Sequence, residues 1–224
     1  MRILAISDIH GCFNTFKRLL KQVDLQKTDQ LYLLGDYVDR GPHSKEVLDY
    51  IIYLQGQGYT LRCLRGNHEQ MMLNALVDEE KERAWRMNGG TATLTSFGAF
   101  MPKDIPARYY KFIHSLEYFF ETEDYLFVHA GFNMREEDPF EDKHAMIWIR
   151  KWEKLFDADR LGHKTVVHGH TPQTTTEIKD RFEILNQKSV LTIDNGCGYS
   201  FKGGGQLCAV DLTNEQLYFE PNID

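Results

Sequence analysis

The alternation of short apolar segments with amphipathic ones in the first third of the chain constrains its fold more than any other feature. Three strands are predicted by apolar segments at residues 2–7, 30–34 and 59–64. Apolar positions at helical spacing between them predict two helices, the first capped by Asn14 and the second beginning at Ser44. Strands separated by single helices form β-α-β units, so the sequence indicates an α/β fold that contains a parallel sheet.

Each of these three strands leads directly into a polar motif. The motifs are SDIHG at 7–11, GDYVDRG at 35–41 and RGNHE at 65–69. Because ligands bind at the carboxyl ends of the strands in open α/β sheets, the three motifs are expected to meet at one edge of the sheet. The sequence therefore places a candidate site at that edge.

Residues 78–117 have a mainly helical pattern that is broken by Asn88-Gly89-Gly90, Gly98 and Pro102. Several short helices are expected here, and we interpret them as a cover over the rim of the site. The next segment, residues 118–128, predicts a hairpin that ends in a fourth polar motif, VHAG at 128–131.

The second half of the chain has a pattern rich in strands. Strands are predicted at 165–167, 183–185, 190–193, 207–212 and 216–219. The first of them leads into a fifth polar motif, HGHT at 168–171. Since no repeat, low-complexity tract or linker interrupts the pattern, residues 1–224 are expected to form a single domain.

The charge of the chain limits its partners. It carries 26 Lys and Arg against 33 Asp and Glu, a formal net charge of −7. Such a field repels polyanions, which argues against nucleic-acid polymers and anionic membranes as partners. No apolar run approaches the roughly 18 residues of a membrane span, and the first residues do not resemble a secretory signal, so we expect a cytoplasmic protein. The four cysteines form no C-x-x-C pair and are expected to be free, buried thiols.

Histidines and acidic residues cluster after the predicted strands. Taken singly, an Asp-x-His motif is more often a surface turn than a metal site. Taken together, side chains from five strand ends supply oxygens and imidazole nitrogens in a mixture that suits first-row divalent ions: Asp8, His10, Asp36, Asn67, His129 and His170. The pattern implies two ions bridged by Asp36, an arrangement that activates water as hydroxide for in-line attack on phosphorus.

The five motifs, in this order, resemble the phosphoprotein phosphatase family of the calcineurin-like metallophosphoesterases, in particular its small bacterial serine/threonine protein phosphatases. The resemblance covers residues 7–171, and GDYVDRG with RGNHE is its specific part. It implies an α/β fold in which two mixed β-sheets form a sandwich flanked by helices. It also implies a first metal held by Asp8, His10 and Asp36 and a second held by Asp36, Asn67, His129 and His170. Manganese is the expected metal, with iron, zinc, nickel or cobalt as alternatives.

The remaining motif residues have chemistry of their own. His68 follows the expected ligand Asn67, and an imidazole can protonate a leaving oxygen near neutral pH, so we expect it to be the general acid. Asp39 would accept a hydrogen bond from the other ring nitrogen and orient it. Arg40 offers the planar fork that grips phosphate oxygens, and the resemblance suggests Arg65 and Arg150 as additions to this clamp.

Simpler interpretations apply to some of these residues. Asp39 and Arg40 could form a surface ion pair, although their place between two glycines of GDYVDRG argues against it. His168 precedes the expected ligand His170 by two residues and is interpreted as structural or as a support for the ligands. The segment WRMNGG at 85–90 could provide packing and a turn, or could shape the substrate rim.

We expect the protein to be a metal-dependent phosphomonoesterase that acts on phosphoserine and phosphothreonine in proteins, and on phosphotyrosine as a further substrate. An alternative is symmetrical hydrolysis of a dinucleoside polyphosphate such as diadenosine tetraphosphate, because related bacterial enzymes share these motifs and an Asn-Gly-Gly segment. A second alternative is a catalytically silent metal-binding regulator. Retention of His68, Asp39 and Arg40 argues against that role, because a binding module has no use for a general acid. The sequence leaves the native substrate, the native metals and the oligomeric state open.

Overall fold

Within residues 1–185 and 189–224, which are those that the computed structural model describes, the strands form two sheets. The strands are β1 (Ile3–Ile6), β2 (Gln30–Leu33), β3 (Thr60–Cys63), β4 (Phe119–Glu121), β5 (Tyr125–Val128), β6 (Thr165–His168), β7 (Val190–Thr192), β8 (Gln206–Asp211) and β9 (Gln216–Pro221). The helices are α1 (Phe13–Gln22), α2 (Ser44–Gly56), α3 (Asn67–Ala75), α4 (Glu79–Trp85), α5 (Thr91–Phe97), α6 (Ala107–His114), α7 (Lys143–Trp148) and α8 (Thr175–Glu183).

The first sheet has the strand order β3-β2-β1-β8-β9. Strands β1, β2 and β3 are parallel, as the alternation in the sequence predicts, whereas β8 is antiparallel to β1 and β9 is antiparallel to β8. The second sheet has the order β4-β5-β6-β7, with β4 antiparallel to β5 and the other strands parallel. Both sheets are therefore mixed, and each contributes three parallel strands.

The two sheets pack face to face around an apolar core. Alternate side chains of the strands point into this core, among them Ala5 and Tyr32 from the first sheet and Phe127 and Val167 from the second. The ring of Tyr32 stacks on that of Phe127 with the centroids 3.8 Å apart. Burial of this interface fixes the two sheets against each other, and so fixes the ends of their parallel strands.

Helices cover the outer faces of the sandwich. Leu4 and Ile6, which alternate with Ala5 along β1, pack against α1 and α2 in a second apolar cluster that includes Phe16 and Ile51. A third cluster lies on the outer face of the second sheet. The sandwich flanked by helices confirms the predicted fold class.

Residues 79–114 form the predicted series of short helices. Helices α4 and α5 are joined by a wide turn at Arg86–Gly90, where Gly89 has a φ of 109°, and a short 3-10 helix at Pro102–Asp104 precedes α6. The buried side chains of Trp85 and Leu94 attach this segment to the cluster that contains α1 and α2. The segment is thus packed on the same core as the first sheet.

Two local predictions are wrong. Residues 183–185 do not form a strand, because α8 extends to Glu183 and begins with a capping box in which Glu177 Oε2 accepts from the Thr174 backbone N–H at 2.8 Å. Asn14 does not cap α1, which begins at Phe13. Instead, the carboxylate of Asp224 accepts from the backbone N–H groups of Asn14 and Thr15, each at 2.9 Å.

No helix in the described part of the chain combines the length and apolar character that crossing a bilayer requires.

Candidate metal centre and active site

Five parallel strands end at one edge of the sandwich and bring the predicted site residues together there. Strands β1, β2 and β3 of the first sheet and β5 and β6 of the second each lead into one of the five motifs. The buried polar residues of the motifs at this edge include Asp8, His10, Asp36, Asp39, Asn67, His68, His129, His168 and His170. The interface between the sheets therefore positions a buried polar cluster.

Asp36 lies at the centre of this cluster. Its Oδ2 atom is 3.6 Å from His10 Nε2, 3.6 Å from His129 Nε2 and 4.0 Å from His68 Nε2. Its other carboxylate oxygen accepts a hydrogen bond from the His68 backbone N–H at 3.0 Å. One oxygen is thus held by the backbone, and the other faces three imidazole rings from three different strand ends.

The orientation of two of these rings leaves their Nε2 atoms without a proton when the rings are neutral. His10 Nδ1 lies 3.0 Å from the Val38 carbonyl oxygen, and His129 Nδ1 lies 2.8 Å from the Leu34 carbonyl oxygen, so each Nδ1–H donates to a backbone acceptor. The lone pairs of Nε2 then face the Asp36 carboxylate. A cation between these acceptors would stabilise an arrangement that is otherwise repulsive.

His170 completes the second side of the cluster. Its Nε2 atom is buried and has no hydrogen-bond partner among the described residues. Burial and the neighbouring His129 lower the pKa of His170 to about 2, so the ring is neutral and its free nitrogen can bind a metal. The His170 backbone N–H lies 3.2 Å from each carboxylate oxygen of Asp8, which ties the β6 end to the β1 end.

These observations fit a pair of metal ions. Two sets of possible donors share Asp36, and within each set the donor atoms lie within 4.8 Å of one another: His10, Asp36 and His68 in one, and Asp36, His129 and His170 in the other. Asn67 Oδ1 is 3.0 Å from His129 Nε2, and the Asp8 carboxylate contacts the backbone of His170. That the six predicted residues bind the ions stays a prediction.

His68 has two roles open to it, metal ligand and general acid, and its hydrogen bonds favour the second. Its Nδ1 atom is 2.7 Å from Asp39 Oδ2, and both side chains are almost fully buried. Burial lowers the pKa of His68, but the charge of Asp36 and the hydrogen bond with Asp39 outweigh it and raise the pKa above its usual value. The ring therefore holds a proton more strongly than a free imidazole, as a general acid requires.

The helical segment at 79–114 holds Asp39 in place. Trp85 Nε1 donates to the two carboxylate oxygens of Asp39 at 3.0 and 2.9 Å, and the Thr93 hydroxyl donates to Oδ1 at 2.7 Å. Gly90 leaves room for the Trp85 indole, since a Cβ atom at Gly90 would lie 2.4 Å from that ring. The WRMNGG segment therefore provides packing and also orients Asp39.

Several site residues have a left-handed backbone conformation. The φ angles are 46° for His10, 53° for Asp36, 73° for Asp39, 71° for Arg40 and 66° for His170. This conformation costs a residue with a Cβ atom about 1–2 kcal/mol, and such outliers concentrate at functional sites. The site is thus held in a strained geometry by its surroundings.

Buried Glu69 supplies much of that support. Its carboxylate accepts from the backbone N–H groups of Asp36 and Tyr37, each at 2.8 Å, and from that of Gly66 at 2.9 Å. It lies at the start of α3 and so joins the loop after β3 to the loop after β2. The Glu69 side chain fixes the backbone on which the central Asp36 depends.

Two of the three arginines predicted to bind phosphate lie at the site. Arg40 and Arg150 line a small recess together with Asp8, Asp36 and His68. The Arg40 guanidinium lies 4.2 Å from the Tyr199 ring centroid and contacts His10 Nε2. The recess has a volume of about 10 Å³, which is room for about one water molecule, so the two arginines can reach an anion bound at its mouth.

Arg65 is placed differently. It donates to the Tyr118 hydroxyl at 3.0 Å, to Gln70 Oε1 at 3.2 Å, and to the carbonyl oxygens of Ile113 and His114 at 3.2 and 3.0 Å. It does not line the recess. These contacts favour a role in positioning Tyr118 and α6, and phosphate binding by Arg65 stays a prediction.

Some residues of the site were missed by the sequence reasoning. Asp194, after β7, is buried, and its pKa is raised well above its usual value by burial and by the charges of Asp8 and Asp36. The sequence IDNG at residues 193–196, at the end of a predicted strand, was a signal for it. Tyr199, whose ring lies against Arg40, had no signal in the sequence. The interpretation of His168 agrees with the structure, since its Nε2 lies 2.9 Å from Thr192 Oγ1 on the neighbouring strand.

A cleft of about 780 Å³ opens beside the recess. Its lining includes Asn67 and His68 from the site, side chains of α3, α4 and α7, and Asn88 of the turn before α5. A second cavity of about 760 Å³ lies beyond α7 and includes none of the predicted metal ligands. The cleft beside His68 is thus the cavity that a substrate of this site would enter.

Comparison with known proteins agrees with this geometry. The model of the calcineurin-like phosphoesterase family matches residues 1–206. Serine/threonine-protein phosphatase 1 of Salmonella typhimurium is 30% identical over 213 residues, which cover 92% of this chain and 89% of that protein. A protein serine/threonine phosphatase structure from Saccharomyces cerevisiae superposes with a TM-score of 0.66 at 16% identity, covering 100% of this chain and 81% of that one.

A shorter match points to another group of enzymes. The symmetrical bis(5'-nucleosyl)-tetraphosphatase of Nitrosococcus oceani is 42% identical over 74 residues, which cover 33% of this chain and 26% of that protein. The match therefore spans about a quarter of the length of this relative.

Proposed function

The chain belongs to the calcineurin-like phosphoesterase family, and from that premise we propose that it is a metal-dependent protein phosphatase that acts on phosphoserine and phosphothreonine. The proposal depends on the surroundings of Asp36, whose Oδ2 atom lies 3.6 to 4.0 Å from three imidazole nitrogens. One of these rings, that of His68, is also hydrogen-bonded to Asp39 through its other nitrogen. This arrangement provides ligand atoms for two cations and, beside them, a separate group that can donate a proton. A hydrolase of phosphoesters needs both.

Six side chains would hold the ions: Asp8, His10, Asp36, Asn67, His129 and His170. When bound, two divalent ions supply Lewis-acid activation of water and neutralise charge at the phosphoryl group. We propose a first-row divalent metal, because the mixture of carboxylate, amide and imidazole donors suits such ions. Manganese is the first candidate, with iron, zinc, nickel and cobalt as alternatives. Asp36→Asn should then lose metal and activity together, and an active, metal-replete variant would contradict the bridge.

His68 and Asp39 would manage the proton. The Nδ1–H of His68 donates to Asp39 at 2.7 Å, which leaves Nε2 to protonate the leaving oxygen of the ester. Trp85 and Thr93 hold the Asp39 carboxylate, so the ring is fixed before substrate binds. The left-handed backbone of Asp39 is part of this fixed geometry.

Arg40 and Arg150 would bind the phosphoryl oxygens. Both line the recess that also contains His68, so a phosphate held at the mouth of the recess lies next to the proton donor. Their permanent charges compensate locally for the −7 charge of the chain. A guanidinium can bind two phosphoryl oxygens at once, which orients the phosphorus for in-line attack.

The protein substrate is supported by the extent of one comparison. The relative from Salmonella typhimurium named as a serine/threonine-protein phosphatase aligns over 89% of its own length. Phosphotyrosine is a further candidate substrate, because its leaving group makes smaller demands on His68.

A second candidate is symmetrical hydrolysis of diadenosine tetraphosphate. It is favoured by the 42% identity to a tetraphosphatase over 74 residues and by Asn88, which lines the cleft within the Asn-Gly-Gly segment. The deciding experiment is a parallel assay of the manganese-loaded protein on phosphoserine, phosphothreonine and phosphotyrosine peptides and on the tetraphosphate. A kcat/KM at least tenfold higher for the phosphoserine or phosphothreonine peptide supports the proposal. The reverse order would replace it with the second candidate.

A further inference from the structure

We propose that Lys81 and Lys143 form an anion subsite beside the recess that selects phosphopeptides with a second negative charge near the phosphorylated residue. This inference rests on the proposed function, since it names the class of substrate that the same site prefers. The second charge can be a carboxylate or another phosphate, because both are anions that a lysine ammonium binds.

The cleft of about 780 Å³ is larger than a single phosphate needs, and a volume of this size accepts a ligand of several groups. Its walls are α4, which contributes Lys81 and Ala84, and α7, which contributes Lys143, Ile147 and Trp148. The cleft begins at His68, so a substrate whose phosphate lies at the mouth of the recess extends between these two helices.

The charged side chains that line the cleft are all basic. The described lining contains no carboxylate. It contains four cationic side chains: Arg40, Lys81, Lys143 and Arg150. None of these four forms an ion pair with a carboxylate within 4.0 Å among residues 1–185 and 189–224. In a chain with 33 acidic and 26 basic residues, this lining of fifteen residues without one acidic side chain is a local excess of positive charge.

Two of the four cations remain after the scissile phosphate has been bound. Arg40 and Arg150 line both the recess and the cleft, whereas Lys81 and Lys143 line the cleft alone. A monoanionic or dianionic phosphate at the mouth of the recess meets the two arginines. The two lysines are then left for a second anion further along the substrate.

The aromatic side chains of the cleft suit a peptide chain. Lys143 Nζ lies 5.5 Å from the ring centroid of Tyr118, which holds the ammonium at the cleft wall. The Trp148 ring stacks on His144 with the centroids 6.2 Å apart and has 36% of its surface exposed. Such rings can contact the backbone or the apolar part of a neighbouring residue.

The experiment compares two phosphoserine peptides that differ in the residues flanking the phosphoserine, Glu in one and Gln in the other. The manganese-loaded protein, its Lys81→Gln/Lys143→Gln variant and a control variant are assayed at 0.1 M and 1 M salt. The control is Lys103→Gln/Lys111→Gln, which removes the same charge from two exposed positions outside the cleft. Diadenosine tetraphosphate and p-nitrophenyl phosphate form two further arms.

We expect the unaltered protein and the control to prefer the Glu peptide by about tenfold in kcat/KM, since each exposed charge pair can contribute up to about fivefold. The Lys81→Gln/Lys143→Gln variant should reduce this preference to about twofold or less. High salt should also reduce the preference of the unaltered protein for the Glu peptide, because the Debye screening length shortens from about 10 Å at 0.1 M to about 3 Å at 1 M.

Equal rates on the two peptides, or a preference that persists in Lys81→Gln/Lys143→Gln, would overturn the subsite. Hydrolysis of the tetraphosphate with neither peptide cleaved would overturn the proposed function instead. In that case the subsite is tested with the tetraphosphate, by the ratio of its kcat/KM to that of p-nitrophenyl phosphate. A lower ratio in the Lys81→Gln/Lys143→Gln variant than in the unaltered protein supports the subsite, and an unchanged ratio overturns it.

Discussion

Arg40 offers a test of whether the site is held in a strained backbone geometry. Its φ is 71°, in the left-handed region. This conformation costs alanine about 1–2 kcal/mol in the folded state and costs glycine nothing. Glycine also has more freedom in the unfolded chain, which lowers its advantage over alanine by about 0.4–1 kcal/mol. We therefore expect Arg40→Gly to have a free energy of unfolding about 1 kcal/mol higher than that of Arg40→Ala.

The comparison with Arg40→Ala isolates the backbone. Both variants lose the guanidinium, together with its stacking on Tyr199 at 4.2 Å, so these effects cancel between them. Urea unfolding of the metal-free protein gives the difference without the stabilisation that bound ions add. In thermal unfolding the same difference corresponds to about 2–4 °C. Both variants should lose about 10²-fold or more in kcat/KM on a phosphoserine peptide, because each removes a fixed charge from the phosphoryl group.

Glu215 provides a matched control. It has a φ of 53°, is exposed, and lies between β8 and β9. Glu215→Gly should likewise be about 1 kcal/mol more stable than Glu215→Ala, with activity unchanged in both. An Arg40→Ala variant as stable as Arg40→Gly would refute the strain at that position. Full activity in Arg40→Gly would refute its role in binding phosphate.

Three further predictions concern other parts of the molecule. His68→Asn should bind metal but lose about 10²- to 10⁴-fold in kcat on a phosphoserine peptide and much less on p-nitrophenyl phosphate, whose leaving group hardly needs an acid; equal losses would contradict the general acid. Asp39→Asn should lower the pKa of His68, because it removes the negative charge that stabilises the protonated ring. Activity on the peptide requires that protonated ring, so it should fall off at a lower pH than in the unaltered protein. A pH profile whose alkaline limb does not move would argue against Asp39 as the orienting residue. Asp224→Ala should lower the free energy of unfolding by about 0.5–2 kcal/mol in urea titrations, because it removes the acceptor for two N–H groups of α1, and no change would mean that the cap is not needed.

The meeting of the five motifs could be predicted from local pattern alone. Each motif follows an apolar segment of strand length, and parallel strands place their carboxyl ends at one edge. The pairing of β1 with β8 could not be predicted in this way, because Leu4 and Asp211 are partners although they lie at opposite ends of the chain. The division of the strands into two sheets was implied by the resemblance and not by the periodicity.

Helix α8 shows how a local signal can be overlooked. The capping box of Thr174 and Glu177 is visible in the sequence, yet Ile178 is the one fully buried side chain that the structure describes in this helix. With so few apolar positions the helical period is weak, and the apolar residues Ile184 and Leu185 resembled a strand. The capping signal was stronger evidence than the apolar run.

The supporting residues of the site were beyond local reasoning. Trp85 lies 46 positions from Asp39 in the sequence, and its indole N–H reaches the carboxylate because α4 buries both side chains against the loop after β2. Tyr199 meets Arg40 through a loop after β7. Such contacts depend on how elements pack, whereas the motif residues depend on where single strands end.

Anomalous X-ray diffraction from crystals of the manganese-loaded protein would locate the ions directly. Two peaks about 3.5–4 Å apart are expected on either side of Asp36, one bound by Asp8 and His10 and the other by Asn67, His129 and His170. A single peak, or peaks that Asp36 does not reach, would contradict the dinuclear centre on which the proposed chemistry depends.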